Sequence, residues 1–402
     1  MNTSKSLFGI NAIRPTRKHM RDYDLLLVAV IGALLMTSIV MVYSASIALS
    51  DNNNALQHQY QYLFRQLIYV GVGLAVAWFV CHIQMDIWER YSKHVFLAAL
   101  LFLVLVLVPF VGRQINGAYR WIPLGFFNFQ PSEFMKFAIV LYTSNYVVRK
   151  TKEQKLTTFK EGLLPILIIL AVVAGLIVKE PDLGATAVIC TVSLCILFLG
   201  GIQKKILAGL GGLFIVLLAV TIWLTPWRMR RFLSYLDPFS EEYAQSTGYQ
   251  LIHSLIAIGR GGWTGVGLGS SIEKLHYLPE AHTDFIMAVI GEELGYVGMV
   301  AVMACFLIVV YRGYKIGRHA MIIDRHFSGY VAQGIAVWIG VQSLINFCVC
   351  IGVLPTKGLT LPLVSFGGSA MVMNLAMIAL LLRVDHENRK LSRGQVDRRN
   401  HR

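Results

Sequence analysis

The chain has 402 residues, of which 56% are hydrophobic and only 14% charged. A soluble domain carries about 25% charge, so this composition, with a mean hydropathy of +0.60, excludes an ordinary soluble protein and selects the membrane class. The net charge of +14 does not point to nucleic acid. Its Lys and Arg residues sit in short segments between apolar runs rather than over one soluble face, and read as a topology signal.

In chain order, residues 1–22 form a basic tail, and 23–383 read as a transmembrane domain. A helix needs about 20 apolar residues to cross a bilayer core, and about 17 at the short end. Runs meeting that need are Leu25 to Ser46, Gln66 to Cys81, His94 to Val111, Phe134 to Val148 and Leu163 to Val178. Gly184 to Leu199, Ile206 to Leu224, Phe285 to Tyr311, Gly329 to Val353 and Val364 to Leu382 follow. The expected fold is therefore an all-α membrane protein of about ten spans, closed by a polar tail at 384–402. The first run is longer than the roughly 7–15 apolar residues of a signal peptide, so it reads as an uncleaved span. Cys81, Cys190, Cys195, Cys305, Cys348 and Cys350 lie in or beside apolar runs, with neither zinc-site nor disulfide spacing.

Cations in alternate loops set the orientation. The N-terminal tail, the stretch near Arg90, Arg149 to Lys160, Lys204-Lys205, Arg312 to Arg325 and the C-terminal tail hold about 25 of the 36 Lys and Arg residues. These segments are expected on the cytoplasmic side, with both termini. The interval 225–283 on the other side is about 60 residues, far beyond the usual 2–8 of helix connections. Its aromatic residues, Trp227, Tyr235, Tyr249, Trp263 and Tyr277, suggest a folded extracytoplasmic loop.

Four outer segments concentrate polar groups that are costly near hydrocarbon. They run from Asn116 to Trp121 with Gln130 to Lys136, Lys179 to Gly184, Pro279 to Asp284, and Pro355 to Pro362 with Ser365 to Ser369. Glu133 and Lys136 share a helix face and suit a local ion pair. Asp182 suits a helix N-cap, and so does Asp284. Asp284 also lies within a turn of Glu280 and His282, and a titratable cluster at a cavity mouth is a candidate general base. Glu292 and Glu293, deeper in the same span, read as structurally paired. The outward-facing cations Arg120, Lys136, Lys179, Arg228, Arg230, Arg231, Arg260, Lys274 and Lys357 suit a phosphate-bearing ligand. The glycines from 259 to 269 suit tight turns. No Walker-type motif is present, so nucleotide binding is unsupported.

Taken together, these segments resemble the SEDS proteins (shape, elongation, division and sporulation). The likeness is carried by Gly117-Ala-Tyr-Arg-Trp121, Gln130-Pro-Ser-Glu133, Glu180-Pro-Asp-Leu-Gly184, His282-Thr-Asp-Phe285 and Gly291-Glu-Glu-Leu-Gly295. Leu354-Pro-Thr-Lys-Gly-Leu-Thr-Leu-Pro362 looks like the cell-division branch of the family rather than its elongation branch. Phe366 stands where many members carry Tyr.

The resemblance implies a peptidoglycan glycosyltransferase that polymerises lipid II at the outer leaflet of a bacterial inner membrane, at the division septum. It places Asp284 at the catalytic position. It implies substrate contacts from Arg120, Glu133, Lys136, Asp182, His282, Lys357 and Ser369. The partners implied are lipid II, a class b penicillin-binding transpeptidase (FtsI) and other divisome proteins. The reaction admits a divalent cation, Mg2+ or Mn2+, held partly by the substrate diphosphate; no dedicated metal cage and no organic cofactor are expected. Two other readings stay open at this stage. A charged cavity among helices also suits a lipid II flippase, and the outer carboxylates as mere caps would suit a division scaffold.

Overall fold

The computed structural model describes residues 23–47, 55–115, 118–123, 125 and 128–393. The tail before Tyr23, most of the polar C-terminal tail, and Asn116 and Gly117 of the first polar motif lie outside the described residues.

Helices dominate, because a backbone in hydrocarbon must satisfy its own hydrogen bonds. In chain order they are α1 (Leu25–Ala45), α2 (Ala55–His82), α3 (Met85–Val106), α4 (Pro131–Lys152), α5 (Leu164–Lys179) and α6 (Leu183–Leu199). Then come α7 (Lys204–Trp223), α8 (Pro226–Leu236), α9 (Tyr249–Gly261), α10 (Ile286–Ile322), α11 (His326–Cys350) and α12 (Gly368–Ser392). Their starts follow from local chemistry. Asp24 accepts from Leu27 N at 3.2 Å to cap α1, and Asp182 accepts from Ala185 N at 3.0 Å to cap α6. Pro131 and Pro226 open α4 and α8, where a missing N–H is harmless.

Among the described residues, seven helices are long and apolar enough to cross a membrane: α1, α2, α5 with its leading turn, α7, α10, α11 and α12. The chain is thus a multi-pass membrane protein. The apolar α6 is shorter, and it packs with α4 against α11, while α3 lies along α4. Of these, α4 and α11 are largely buried and carry buried polar residues such as Glu133, Lys136, Gln342 and Asn346, which protein rather than lipid surrounds. The last helix does not stop at Leu382 but runs on to Ser392, carrying Arg383–Glu387 and Arg389–Asp385 pairs along its extension, each at 2.8 Å.

Two features depart from a plain helix bundle. First, residues 113–129 hold three short strands, β1 (Arg113–Ile115), β2 (Ala118–Pro123) and β3 (Asn128–Phe129), paired antiparallel in the order β1-β2-β3. Too short to show a period in the sequence, they turn the Tyr119-to-Pro123 stretch across the end of the bundle. Second, the span expected from Phe285 to Tyr311 is broken. Gly295 has φ 67° and ψ −167°, outside the helical region and open to glycine. The helix amides freed there are taken up from the 225–283 interval. Tyr296 N donates to Gly262 O at 2.9 Å and Val297 N to Trp263 O at 3.1 Å, while Val266 N donates to Glu292 O at 2.9 Å.

The same interval is folded rather than extended. It contributes α8 and α9, and α9 packs on α10. Glu292 accepts from Arg260 Nη1 at 2.9 Å and Ile272 N at 2.9 Å, and also from the Ser271 hydroxyl. Glu293 accepts from Lys274 Nζ at 2.7 Å and the Ser44 hydroxyl at 2.6 Å. Both acids are fully buried, and both are paired structurally, as their depth suggests. Lys274 and Arg260, which read as outward-facing cations, are the partners of these acids instead.

Candidate active site

At the end of the bundle where β2, the α5–α6 corner, α8, the start of α10 and the loop before α12 meet, there is a cavity of about 810 Å³. Arg120, Asp182, Asp284 and Lys357 all line it. Each polar segment noted in the sequence therefore sends at least one side chain to a common space, although the four lie far apart along the chain.

Asp284 sits just ahead of α10. Its backbone carbonyl accepts from Asn346 Nδ2 at 2.8 Å, and the same amide nitrogen donates to Leu359 O at 2.7 Å. One buried Asn on α11 thus pins the Asp284 loop to the Lys357 loop. Ser365 Oγ donates to Thr283 O at 2.6 Å and Phe366 N to His282 O at 3.0 Å, fixing the segment from the other side. The carboxyl group is recessed: enclosing protein pushes its pKa up to about 7, with Glu280 adding in the same direction and Arg120 and Arg231 opposing. A carboxyl that titrates near neutrality suits a group that must take up a proton.

Across from it, a methyl group on Gly358 would stand 3.2 Å from Asp284 Oδ2 and 4.0 Å from Arg120 Nη1. The absent side chain leaves open space between a potential base and a cation. Arg120 is itself held, donating through Nε to Glu180 O at 2.8 Å and through Nη2 to Pro181 O. That clamp joins β2 to the α5–α6 corner, from which Asp182 faces the cavity. Glu180 is completely buried and neither of its carboxyl oxygens has a hydrogen-bond partner among the described residues. Burial, reinforced by Asp182, pushes its pKa up to about 9, so it is neutral at pH 7.

Lys357 is half-buried, and that enclosure, together with Arg231 and Arg228, draws its pKa down to about 8. Arg228 and Arg231 also line the cavity. Both come from α8, so the long interval supplies part of the positive wall. The sequence displayed them only as two cations among many; the signal that could have singled them out is their i, i+3 spacing on a basic amphipathic helix.

Other residues expected at the site stand behind it. Lys136 and Glu133 pair at 2.7 Å, and both are buried. Lys136 also donates to Gln342 Oε1 at 2.9 Å and lies 5.2 Å from the Trp338 ring centre. The structure does not bring either to the cavity wall; with their donors and charges met internally, they hold α4 to α11, and Gln342 Nε2 continues the chain of bonds to Thr360 O at 2.9 Å. The His282 ring lies between Tyr62 and Phe366, at centroid distances of 5.3 and 5.5 Å. Ser369 Oγ accepts from Gln130 N at 3.0 Å and donates to Asn128 O at 2.9 Å, joining β3 to the start of α12. Neither His282 nor Ser369 lines the cavity.

Among the described residues, no three His, Cys, Asp or Glu side chains come together as ligands for an ion.

Comparison with known proteins places this geometry in context. A family model described as "Cell cycle protein", covering FtsW, RodA and SpoVE, matches residues 24–390. The chain is 49% identical over 386 residues to a protein of Burkholderia thailandensis named probable peptidoglycan glycosyltransferase FtsW, covering 96% of this chain and 83% of that one. It is 52% identical over 358 residues to a protein of the same name from Taylorella equigenitalis, covering 89% and 97%. Among solved structures, it is similar to a chain from a study of polymerization and crosslinking by a peptidoglycan synthase complex, with TM-score 0.73, 29% identity, and coverage of 91% and 98%. It is also similar to the rod shape determining protein RodA of Thermus thermophilus, with TM-score 0.66, 27% identity, and coverage of 91% and 97%.

Proposed function

This chain belongs to the FtsW, RodA and SpoVE family of cell cycle proteins, and from that membership and the cavity chemistry we propose that it is a peptidoglycan glycosyltransferase of cell division. Its relatives carry that activity in their names. The observation that carries the reading is the recessed Asp284 facing Arg120, Arg231 and Lys357 across one cavity.

The substrate is lipid II, a disaccharide joined to a polyprenyl diphosphate. The acceptor's sugar hydroxyl attacks the anomeric carbon of the donor, and the bond from that carbon to the diphosphate oxygen breaks. Asp284 takes the hydroxyl proton as general base, a role worth about 10²–10⁴-fold. Arg120, Arg228, Arg231 and Lys357 stabilise the charge that develops on the leaving diphosphate. Displacement with a good leaving group needs no second carboxylate to protonate it. A Mg2+ or Mn2+ ion would add to this neutralisation. The cavity carboxylates Asp182, Glu280 and Asp284 offer oxygen ligands, but with no three-residue cage the ion would be held chiefly by the diphosphate itself.

The cavity end of the bundle is the outer side on the positive-inside count, which puts the chemistry at the outer leaflet. The protein acts at the septum beside a class b transpeptidase such as FtsI; support comes from the synthase complex that contains its structural neighbour. The decisive experiment is polymerisation of lipid II in detergent by the purified chain. Glycan strands made by the chain and lost in Asp284→Asn support the reading. Equal polymer from the folded variant overturns the role of Asp284. In liposomes containing the chain, leaflet transfer of lipid II without polymer would favour a flippase.

A further inference from the structure

Beside the cavity lies a second, smaller pocket of about 390 Å³, and its lining is of a different character. Gln245, Ser246, Thr247 and Tyr249 contribute amides, hydroxyls and an aromatic ring. Carboxylates are absent from its described lining, and its one cation, Arg231, is shared with the larger cavity, as are Gln250 and Pro279. The two spaces are therefore contiguous across a ridge of three residues. The partition is chemical: charged groups gather on the Asp284 side, and neutral hydrogen-bonding groups beyond the ridge.

We propose that this second pocket is a saccharide subsite, which holds a sugar unit of the glycan strand beyond the one undergoing reaction. The inference rests on the glycosyltransferase reading above and extends it to a place where the polymer is gripped. Neutral amides and hydroxyls match the hydroxyl and acetamido groups of an uncharged amino-sugar polymer, and a tyrosine ring offers an apolar face with a polar tip. A diphosphate would instead seek the cations of the first cavity. The volume lies within the range of small-ligand pockets. Pro279 is part of the ridge and lies five residues before Asp284, so a strand in the pocket would reach the reacting centre along a short path. Three of the pocket's lining residues, Gln245, Ser246 and Thr247, come from the stretch between α8 and α9, which gives that stretch of the long interval a role of its own.

The test uses the full chain and a substitution at an exposed position, so that folding is preserved. Gln245 is exposed, and Gln245→Trp fills the pocket while Gln245→Ala removes one amide. With lipid II as substrate, gel analysis of the product should show strands shortened about 3- to 10-fold by Gln245→Trp and to a lesser degree by Gln245→Ala, the scale expected for lost neutral hydrogen bonds. The rate of the first transfer should change less. Independently, titration of Asp284→Asn protein with a soluble tetrasaccharide of alternating N-acetylglucosamine and N-acetylmuramic acid, its lactyl carboxyls capped as amides so that it is uncharged, should show binding that Gln245→Trp, added to it, abolishes. Unchanged strand length, or equal tetrasaccharide binding with and without Gln245→Trp, overturns the subsite. A wild-type chain that makes no polymer would count against the glycosyltransferase reading itself, and the tetrasaccharide titration would then still decide the subsite.

Discussion

Asp284 and Lys357 face the same cavity, and burial brings both toward neutrality, the carboxyl up to about 7 and the ammonium down to about 8. The general base must be ionised, and the cation must keep its proton. The rate per free enzyme should therefore rise with pH through about 7 and fall beyond about 8, a bell read from kcat/KM. Lys357→Arg keeps the charge at all accessible pH values, so the falling limb should move to higher pH even if the maximum drops. A second consequence concerns stability. The carboxyl of Asp284 titrates near 3.8 when free and near 7 in the fold, so between those values the folded state binds the extra proton and stability declines as pH rises. Asp284→Asn escapes that decline. Its gain in thermal midpoint over the parent should grow from pH 4.5 to pH 7.5, then level off. Gly358→Ala adds a methyl 3.2 Å from the carboxylate. A misplacement on this scale costs on the order of 10-fold or more in rate, measurable on lipid II with little loss of stability.

The element that organises the site is broken α10. Its first part carries Ile286 to Leu294 and its second begins after Gly295, with the 261–267 turn laid against the break. A side chain on Gly295 would come within 2.4 Å of Gly265 N, and its positive φ disfavours any other residue, so Gly295→Ala should yield little folded protein on size exclusion. The buried Glu293–Lys274 pair, at 2.7 Å, makes a graded test. Lys274→Met strands a buried charge, at a cost of about 3–5 kcal/mol; adding Glu293→Gln should recover most of the lost thermal midpoint. Part of this was legible beforehand. Intramembrane acids announce that they need partners, and glycines at 291, 295 and 259 to 269 announce tight backbone. Their pairing was not legible, because a hydrogen bond from Tyr296 to Gly262 joins segments that no periodicity relates. Lys136 shows the same limit: its pair with Glu133 is local and was legible, but its second bond goes to Gln342, 206 residues away, and that is what places it in the core rather than at the cavity.

For the molecule as a whole, hydropathy finds the spans because hydrocarbon imposes length and composition on any helix that crosses it. It does not tell which helices line the interior. Two of the most buried spans, α11 and α12, are less apolar than α7, which buries no side chain. Leu141→Ala, in the core, should lower the thermal midpoint by the equivalent of about 2–5 kcal/mol. Leu217→Ala on α7, 55% exposed, should stay within about 0.5 kcal/mol; equal shifts would mean that α7 packs elsewhere in the purified protein. Motifs located Arg120, Asp182, Asp284 and Lys357, and these meet at the cavity. The α8 arginines and the second pocket depend on how a long interval folds back, which only tertiary packing decides.

The order in which the pieces of the α10 break occur along the chain has a consequence for biogenesis. Ser44, Arg260, Ser271 and Lys274 all precede Glu292 and Glu293, so each is synthesised before the acids it meets. When the short first half of α10 leaves the ribosome, its two carboxylates are too costly for lipid on their own, yet their counter-charges have already been delivered. The half-span need never partition alone: it is inserted as the closing piece of a surface that waits for it.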